Sequence, residues 1–276
     1  MSIDYSRFVP NVVFEKIPIS NLVSDQNYQR QLSQTQIVKA VQDFDLYQIN
    51  PVKVSRRDGV NYVFDGQHTI EIIANASGSR DTPVWCMIFD DLFYEREAQI
   101  FADQQRHSRQ LTSYDVYIAQ LEAGNEKYLM INSLIKSYNL EIANNAKSDC
   151  CICAVAALIS IYDKYGFHTL DKVLRLCIGA WQGEKYSLTS NMLVGLARLI
   201  SAYGDLINEE TFVSRLGSVS PRILSRTAKE RRPGSLGHAE VMLQLYNKKC
   251  RYRLPLKLLY VGTSIVADEE EEFDDE

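Results

Sequence analysis

The chain has two textures of hydrophobic and polar positions. Between residues 14 and 115, short runs of β-branched and aromatic residues alternate with polar turns, a pattern typical of half-buried strands. After residue 113 the apolar positions recur at helical spacing, with breaks at glycine, asparagine and proline. The pattern predicts an α+β fold, with a strand-containing domain over residues 1–112 and an all-α domain over residues 113–266.

The first domain contains one well-marked strand-turn-helix. Residues 52–55 and 62–64 are predicted to pair as a hairpin that turns at Asp58-Gly59. The second strand ends at Asp65-Gly66, and an amphipathic helix begins directly after it. A glycine turn before a helix presents backbone N–H groups that bind anions. The turn is therefore a candidate phosphate site, although many such turns carry glycine for steric reasons alone.

The second domain is predicted to contain eight helices. Ser113 is the expected N-cap of the first helix. Cys150, Cys151 and Cys153 begin an apolar run that is interpreted as a buried helix, where cysteines act as small hydrophobic residues. The four histidines are not spaced with these cysteines as zinc ligands would be, so no zinc site is predicted. The predicted helices span residues 113–122, 126–138, 150–165, 170–181, 190–203, 209–216, 221–231 and 236–249.

Four segments together resemble the N-terminal domain of the ParB/sulfiredoxin superfamily. The turn Asp65-Gly66-Gln67-His68 is similar to the Asp-Gly-Gln-His-Arg turn of some branches, where ParB proteins have Gly-Glu-Arg-Arg. The other segments are Ile17-Pro18 with Tyr28-Gln29-Arg30, a helix over 35–44 leading into a strand over 49–54, and Ala102-Asp103-Gln104-Gln105-Arg106 followed by residues 111–115. The resemblance implies a ParB/sulfiredoxin-like fold for residues 1–112.

The resemblance also implies a nucleotide pocket at this turn. Its ligand would be CTP, ATP or ADP, with Mg²⁺ held by Asp103, since this hard cation prefers carboxylate oxygens. Thr69 and Ala102-Asp103 depart from the arginine and the Glu-Asn of ParB proteins, and each lost charge-assisted hydrogen bond is worth about 1.5–3 kcal/mol. The residues implied in nucleotide binding are Arg30, Gly66, Gln67, His68, Thr69, Gln105 and Arg106.

Basic and acidic residues are segregated towards the C-terminus. Residues 215–257 contain eleven lysines and arginines but only two acids, whereas residues 268–276 contain eight acids and no base. Clustered positive charge is typical of surfaces that bind nucleic-acid phosphates. Residues 267–276 are expected to form a disordered acidic tail, which either keeps the protein soluble or competes with DNA for the basic cluster.

The basic cluster includes a predicted helix-turn-helix over residues 209–232. Ser220-Pro221 is typical of a helix start, and the second helix of such a motif reads the DNA major groove. Three basic residues at i, i+4 and i+7 share one face of this helix, while Ile223 and Leu224 are expected to point inward. The alternative is a solvated basic helix in an ordinary bundle. The predicted DNA-binding residues are Arg222, Arg226, Lys229, Arg231 and Arg232.

Two classes of function follow. The first is a ParB-like nucleic-acid-associated binding protein, in which a nucleotide pocket is coupled to a DNA-binding helical domain. The second is a metal-dependent enzyme, such as a nuclease, a small-molecule kinase or a nucleotide hydrolase, with Asp65, His68 and Asp103 around a metal and one carboxylate as base. In a purely structural role, Asp65 would cap the loop and His68 would bond a carbonyl.

Composition and the lengths of the apolar runs lead to an expectation about where the protein is located. Hydrophobic content of 46% and charged content of 24% are ordinary for a globular protein. No apolar run approaches a membrane span, and the first residues lack a signal-peptide pattern. The expectation is a cytoplasmic protein without membrane partners, nucleoid-associated if it binds DNA. Because ParB relatives self-associate, a homodimer is expected.

Overall fold

The computed structural model describes residues 9–24, 28–29, 31–107, 111–145 and 148–261, with side chains for all of these except residues 105–107. The chain forms two compact units, Met1–Arg109 and Gln110–Glu276. The predicted α+β architecture is confirmed, because the strands of the main sheet all precede a long run of helices. The predicted acidic tail over residues 267–276 lies outside the described residues. Within the described part, no helix is both long and apolar enough to cross a membrane.

The first unit is a mixed five-stranded sheet with helices packed against it. Its strands are β1 (Val13–Pro18), β2 (Leu22–Ser24), β3 (Val52–Arg57), β4 (Val60–Asp65) and β5 (Pro83–Phe89), in the order β1-β5-β3-β4-β2. Strands β1 and β5, and β3 and β4, pair antiparallel, whereas β5 pairs with β3 and β2 pairs with β4 in parallel. The helices are α1 (Gln34–Gln42), α2 (Gln67–Ser77) and α3 (Tyr94–His107).

The predicted hairpin is confirmed. Asp58 and Gly59 have φ of 50° and 79°, and two consecutive residues at positive φ are what a tight hairpin turn of matching twist requires. Val54 and Val63 pair across the two strands and are fully buried. They pack with Ile70 of α2 in the core of this unit, so the hairpin and the helix that follows it share one hydrophobic core.

Gly66 makes the junction between β4 and α2. Its φ of 104° lies in the region that L-residues avoid, and a Cβ there would be 3.2 Å from the Cα of Val52 and 3.4 Å from both of its methyl groups. Both the conformation and the close approach require glycine. The junction therefore brings the first turn of α2 directly against the start of β3.

The second unit is built around helix α8. Its elements are α4 (Ser113–Glu122), α5 (Glu126–Ser137), β6 (Glu141–Ile142), β7 (Cys151–Ile152), α6 (Val155–Tyr165), α7 (Phe167–Trp181), α8 (Ser190–Tyr203), α9 (Glu209–Leu216), α10 (Pro221–Arg231) and α11 (Gly234–Asn247). Leu193, Leu196 and Leu199 of α8 are fully buried, because α6, α7 and α11 pack around this helix. Gly195 lets α11 approach closely, since a Cβ there would be 2.8 Å from the Ser235 carbonyl oxygen.

The N-cap of α4 and the start of α6 differ from the prediction. Thr112 is the N-cap of α4, because its hydroxyl accepts from the Asp115 N–H (3.2 Å) and the Asp115 carboxylate accepts from the Thr112 N–H (2.9 Å). The predicted helix over 150–165 begins only at Val155. The preceding Cys151–Ile152 is a short strand, and Cys153 is exposed. Cys150 has φ of 62° and donates its N–H to the Gly183 carbonyl at 2.7 Å, which excludes a helical start there.

Candidate functional site

A small pocket lies at the N-terminus of α2. It has a volume of about 170 Å³, below the 300–1,000 Å³ of typical small-molecule sites. Of the residues implied in nucleotide binding, the pocket brings four together, Gly66 to Thr69. Arg30 and the side chains of Gln105 and Arg106 lie outside the described residues. The lining residues are Gln29, Phe64, Asp65, Gly66, Gln67, His68, Thr69 and Phe101.

The first turn of α2 borders this pocket. Gly66 is the N-cap and has no side chain to accept from the first N–H groups of the helix. The first N–H that bonds back to the cap is that of Ile70, which donates to the Gly66 carbonyl (3.1 Å). The preceding turn of N–H groups carries the positive end of the helix dipole. A phosphate or carboxylate group in this pocket would therefore lie at the positive end of the helix.

His68 has a structural hydrogen bond in this pocket. Its Nε2 accepts from the backbone N–H of Ser33 at 3.3 Å, so the ring proton sits on Nδ1. Ser33 is also the N-cap of α1, where its hydroxyl accepts from the Gln36 N–H. We expected His68, in a purely structural role, to bond a carbonyl group. Its hydrogen-bond partner is instead the backbone amide of Ser33. His68 ties the start of α2 to the start of α1, and Nε2 would serve as a base only after that bond breaks.

Asp65 is paired with a residue that the sequence analysis missed. Lys53 Nζ lies 3.3 Å from Asp65 Oδ2. Gln104 completes the group when its amide is oriented so that both atoms find partners: the amide nitrogen donates to Asp65 Oδ2 (3.2 Å) and the oxygen accepts from Lys53 Nζ (2.8 Å). Lys53 and Gln104 therefore hold the Asp65 carboxylate in place through one of its oxygens. This contact also places the Lys53 ammonium next to a residue that lines the pocket.

Of the predicted catalytic residues Asp65, His68 and Asp103, two line this pocket. Phe101 lines the pocket whereas Asp103 is not among the lining residues, because two residues apart on a helix point to nearly opposite sides. Within the described part of the chain, no group of three or more histidine, cysteine, aspartate or glutamate residues is placed to hold a metal ion. Asp65 is paired with Lys53, and Mg²⁺ held by Asp103 stays a prediction.

A buried ion pair fixes α3 on the sheet. The Glu97 side chain is fully buried, and its Oε1 lies 2.8 Å from Nε of Arg57 on β3. The Arg57 guanidinium lies 4.1 Å from the centroid of the Tyr62 ring on β4. Tyr28 donates to the other Glu97 oxygen (3.5 Å) and packs against Phe101. One turn of α3 is therefore anchored, which sets Phe101 as a wall of the pocket.

The second candidate site is a basic groove along α10. Ser220 caps this helix, with its hydroxyl accepting from the Ile223 N–H, as predicted. The groove has a volume of about 540 Å³. Ile223 is wrong as an inward residue, since 52% of it is exposed within the groove, whereas Leu224 is buried as expected. The groove is lined by Tyr186, Arg222, Ile223, Ser225, Arg226, Lys229 and Glu230.

We call Arg222, Arg226 and Lys229 the α10 basic face. All three are exposed. The Arg222 guanidinium lies 5.7 Å from the ring centroid of Tyr186. Arg226 makes an ion pair of 3.8 Å with Glu230, in which both side chains are at least 70% exposed, and such exposed pairs contribute little. The face therefore keeps its positive charge available to an anionic partner.

The other two predicted DNA-binding residues point elsewhere. Arg231 donates to the buried Glu240 of α11 at 2.5 Å, and Arg232 lies 3.9 Å from the other Glu240 oxygen. That oxygen also accepts from the Tyr260 hydroxyl at 2.5 Å. Burial raises the pKa of Glu240, but the hydrogen bonds from Tyr260 and Arg231 outweigh it and leave the pKa lowered. The predicted set of five therefore divides into three residues that line the groove and two that pair with Glu240.

The two helices of the predicted helix-turn-helix, α9 and α10, pack mainly on other helices rather than on each other. Helix α10 makes its most extensive contacts with α11, and α9 packs against α7 and α11. Arg215 at the end of α9 donates to the Tyr246 carbonyl of α11, so it belongs to the interior too. Helix α11 thus holds both α9 and α10, and the α10 basic face remains on the outside.

Comparison with known proteins gives a family but no function. Two crystal structures of the C-terminally truncated chromosome-partitioning protein ParB from Caulobacter crescentus are similar to this chain. The complex with CTP-γ-S is 9% identical, with 84% of this chain and 98% of that chain covered and a TM-score of 0.35. The complex with the centromeric parS site is 10% identical, with 83% and 99% covered and a TM-score of 0.29. At TM-scores this low, the similarity supports no conclusion about the fold or the functional site of this chain.

No curated protein matches the chain. One family model does, over residues 23–258, which include most of both compact units. Its description is "Family of unknown function (DUF6551)". Because the match extends over far more than half of the sequence, the chain belongs to the DUF6551 family.

Proposed function

We propose that this protein binds nucleic acid through the α10 basic face, and that a nucleotide binds by a phosphate at the N-terminus of α2. The observation that carries the proposal is the alignment of Arg222, Arg226 and Lys229 along one exposed groove. Lysine and arginine side chains spaced along a helix contact successive phosphates, and each contact releases condensed counterions. Binding of DNA would place the protein with the nucleoid, and two copies in a homodimer would double the contact surface.

The groove also offers contacts that are not electrostatic. Ile223 lies one residue after Arg222, in the first turn of α10, and is half exposed. The N-terminal part of a helix in the major groove is the part that reaches base edges, and an apolar side chain there can contact a thymine methyl group. Tyr186 borders the same groove. The basic residues would supply affinity, and Ile223 would supply sequence preference.

The pocket at α2 fits the phosphate part of a nucleotide. Its volume of about 170 Å³ is too small for a whole nucleotide, so the sugar and base would extend beyond the lining residues. The N–H groups of the first turn would bind the phosphate, and the ion pair with Lys53 would balance the charge of the Asp65 carboxylate that lines the pocket. Mg²⁺, when bound with the nucleotide, would screen the remaining phosphate charge. A metal-dependent enzyme is not favoured, since Asp65 is held by Lys53 and His68 by Ser33.

The DNA proposal is tested by the salt dependence of binding to a labelled duplex. Three phosphate contacts predict a contribution of about −2.7 to the slope of log K against log salt. Replacing Arg222, Arg226 and Lys229 by glutamine should remove that contribution. Lys136→Gln is the matched control, because Lys136 is an exposed lysine in the last turn of α5. Equal slopes for the triple variant and the control would refute the assignment.

The pocket is tested by calorimetry with CTP, ATP, ADP and inorganic phosphate, with and without Mg²⁺. Thr69→Glu places a negative charge in the first turn of α2, which favours the helix itself but repels a phosphate. We expect binding to be lost while the thermal stability is kept. Thr69→Gln is the neutral control of equal length and should bind normally. Unchanged binding by Thr69→Glu would place the nucleotide elsewhere.

A further inference from the structure

We propose that the acidic segment 268–276 of this same chain binds the α10 basic face and competes there with nucleic acid. The inference rests on the proposed function, because it assigns a second occupant to the same surface. The segment contains eight acids in nine residues. Three features support this occupant: where the described part of the chain ends, how far the remaining residues can reach, and which basic side chains have no buried partner.

The chain is anchored beside the end of α10 before it reaches the acidic segment. Residues Leu256–Tyr260 form a short 3₁₀ helix in which Leu259 is buried. The Tyr203 hydroxyl donates to the Pro255 carbonyl (2.8 Å). Tyr260 donates to Glu240, which also holds Arg231 at the last position of α10. Residue 261 therefore follows a fixed point close to the C-terminal end of that helix.

The distance from this point is within reach of the acidic segment. Residue 268 is seven positions after residue 261, and an extended chain of seven steps spans at most about 24 Å. Helix α10 has 11 residues, which is about 16 Å of axial length. The first acids can therefore reach any position along α10, from Lys229 near its end to Arg222 in its first turn.

Charge selects the α10 groove over the neighbouring groove. A second groove, lined by Arg231, Lys248 and Arg253 among others, already contains the buried Glu240, whose pKa is lowered by its hydrogen bonds and which would repel a carboxylate. The α10 groove contains only Glu230 as an acid, and that side chain is 70% exposed. An acidic peptide would gain more from the α10 groove, because three cations there face one screened anion.

Carbodiimide cross-linking of the full-length protein tests the contact without DNA. At low salt, Lys229 should become linked to residues 268–276, as read by mass spectrometry. The link should disappear at about 1 M salt, where the Debye length is about 3 Å. Lys229→Arg keeps the charge but removes the reactive amine, so it should lose this link alone. Links of the segment to Lys248, Lys249 or Lys257 with none to Lys229 would overturn the assignment to α10.

The competition itself is tested by comparing the DNA affinity of three forms of the protein. The forms are the full chain, a chain ending at residue 267, and a full-length chain with its eight terminal acids changed to asparagine or glutamine. An effective concentration of about 1 mM against a peptide Kd of about 0.1 mM predicts about tenfold tighter binding for both altered forms at low salt. Equal affinity of all three forms would refute the competition. Failure of every form to bind DNA would refute the proposed function instead, and the cross-link would still report the contact.

Discussion

Replacing Gly66 by alanine should destabilise the junction between β4 and α2 that borders the α2 pocket. Gly66 has φ of 104° and ψ of 18°, and a Cβ would lie 3.2 Å from the Val52 backbone. A non-glycine residue in such a region costs about 1–3 kcal/mol. Overpacking against a fully buried valine adds about 1–3 kcal/mol. We therefore expect Gly66→Ala to lower the free energy of unfolding of the first unit by about 2–6 kcal/mol.

Gly78→Ala separates the two contributions. Gly78 ends the same helix with φ of 72°, and no atom lies within 4 Å of the position its Cβ would take. Only the backbone cost applies, about 1–2 kcal/mol. The difference between Gly66→Ala and Gly78→Ala therefore measures the close approach of β3 to the α2 turn, which is the contact that brings Lys53 and Asp65 beside the pocket.

Native-state hydrogen exchange of the β3 and β4 amides is the appropriate assay. A global denaturation signal would mix the two compact units, whereas exchange reports the opening free energy of each segment. The exchange free energy of Val54 and Val63 should fall further in Gly66→Ala than in Gly78→Ala. Equal losses in the two variants would refute the claim that Gly66 is required by contact with Val52.

Three further predictions concern the helical unit. Glu240→Gln removes the charge that holds Arg231. It should lower the free energy of unfolding of the helical unit by about 1.5–3 kcal/mol, as measured by urea denaturation. An unchanged urea midpoint would contradict the pairing. Burial lowers the pKa of His238 below its usual value, although its bond to the Gly234 carbonyl opposes this, so the unfolded chain takes up the proton first as pH falls. The contribution of His238 to stability is thus complete above its unfolded pKa of about 6.5 and is lost as pH falls from there through its lowered folded pKa. His238→Gln should flatten the urea midpoint over this window, and an equally steep loss would contradict the assignment. Gly195→Ala should lower the thermal midpoint, since overpacking against α11 costs about 1–3 kcal/mol and exceeds the helix-propensity gain of about 1 kcal/mol; a raised midpoint would show that α11 can move away.

Local signals were sufficient for most elements. Asp58-Gly59 predicted the hairpin turn because few residue pairs accept two positive φ values. Ser220-Pro221 predicted the start of α10 because it satisfies the first helical N–H groups and presets φ. The N-cap of α4 was missed although its signal is local, since Thr112 and Asp115 have the spacing of a capping box. The strand at Cys151–Ile152 had no such signal, because its hydrogen bonds go to Glu141–Ile142.

The partners in both candidate sites depend on tertiary contacts. A register counted from the Asp58-Gly59 turn would place Phe64 opposite Lys53, but an irregularity between Lys53 and Val54 brings Asp65 there instead. Nothing local predicts that irregularity. Spacing could place Arg222, Arg226 and Lys229 on one face, but the capture of Arg231 by Glu240 requires the packing of α10 on α11. The basic cluster therefore predicted an interface, but only the fold shows which of its residues line the groove and which pair with Glu240.

The most direct test of DNA recognition by α10 is site-specific photocross-linking. A benzophenone amino acid would replace Ile223 in one form and Leu129 in another, since these apolar residues are similarly exposed, at 52% and 44%, on α10 and α5. We expect a labelled DNA duplex to become linked at position 223 and not at position 129. Equal linking at both positions, or linking at 129 alone, would contradict DNA recognition by α10.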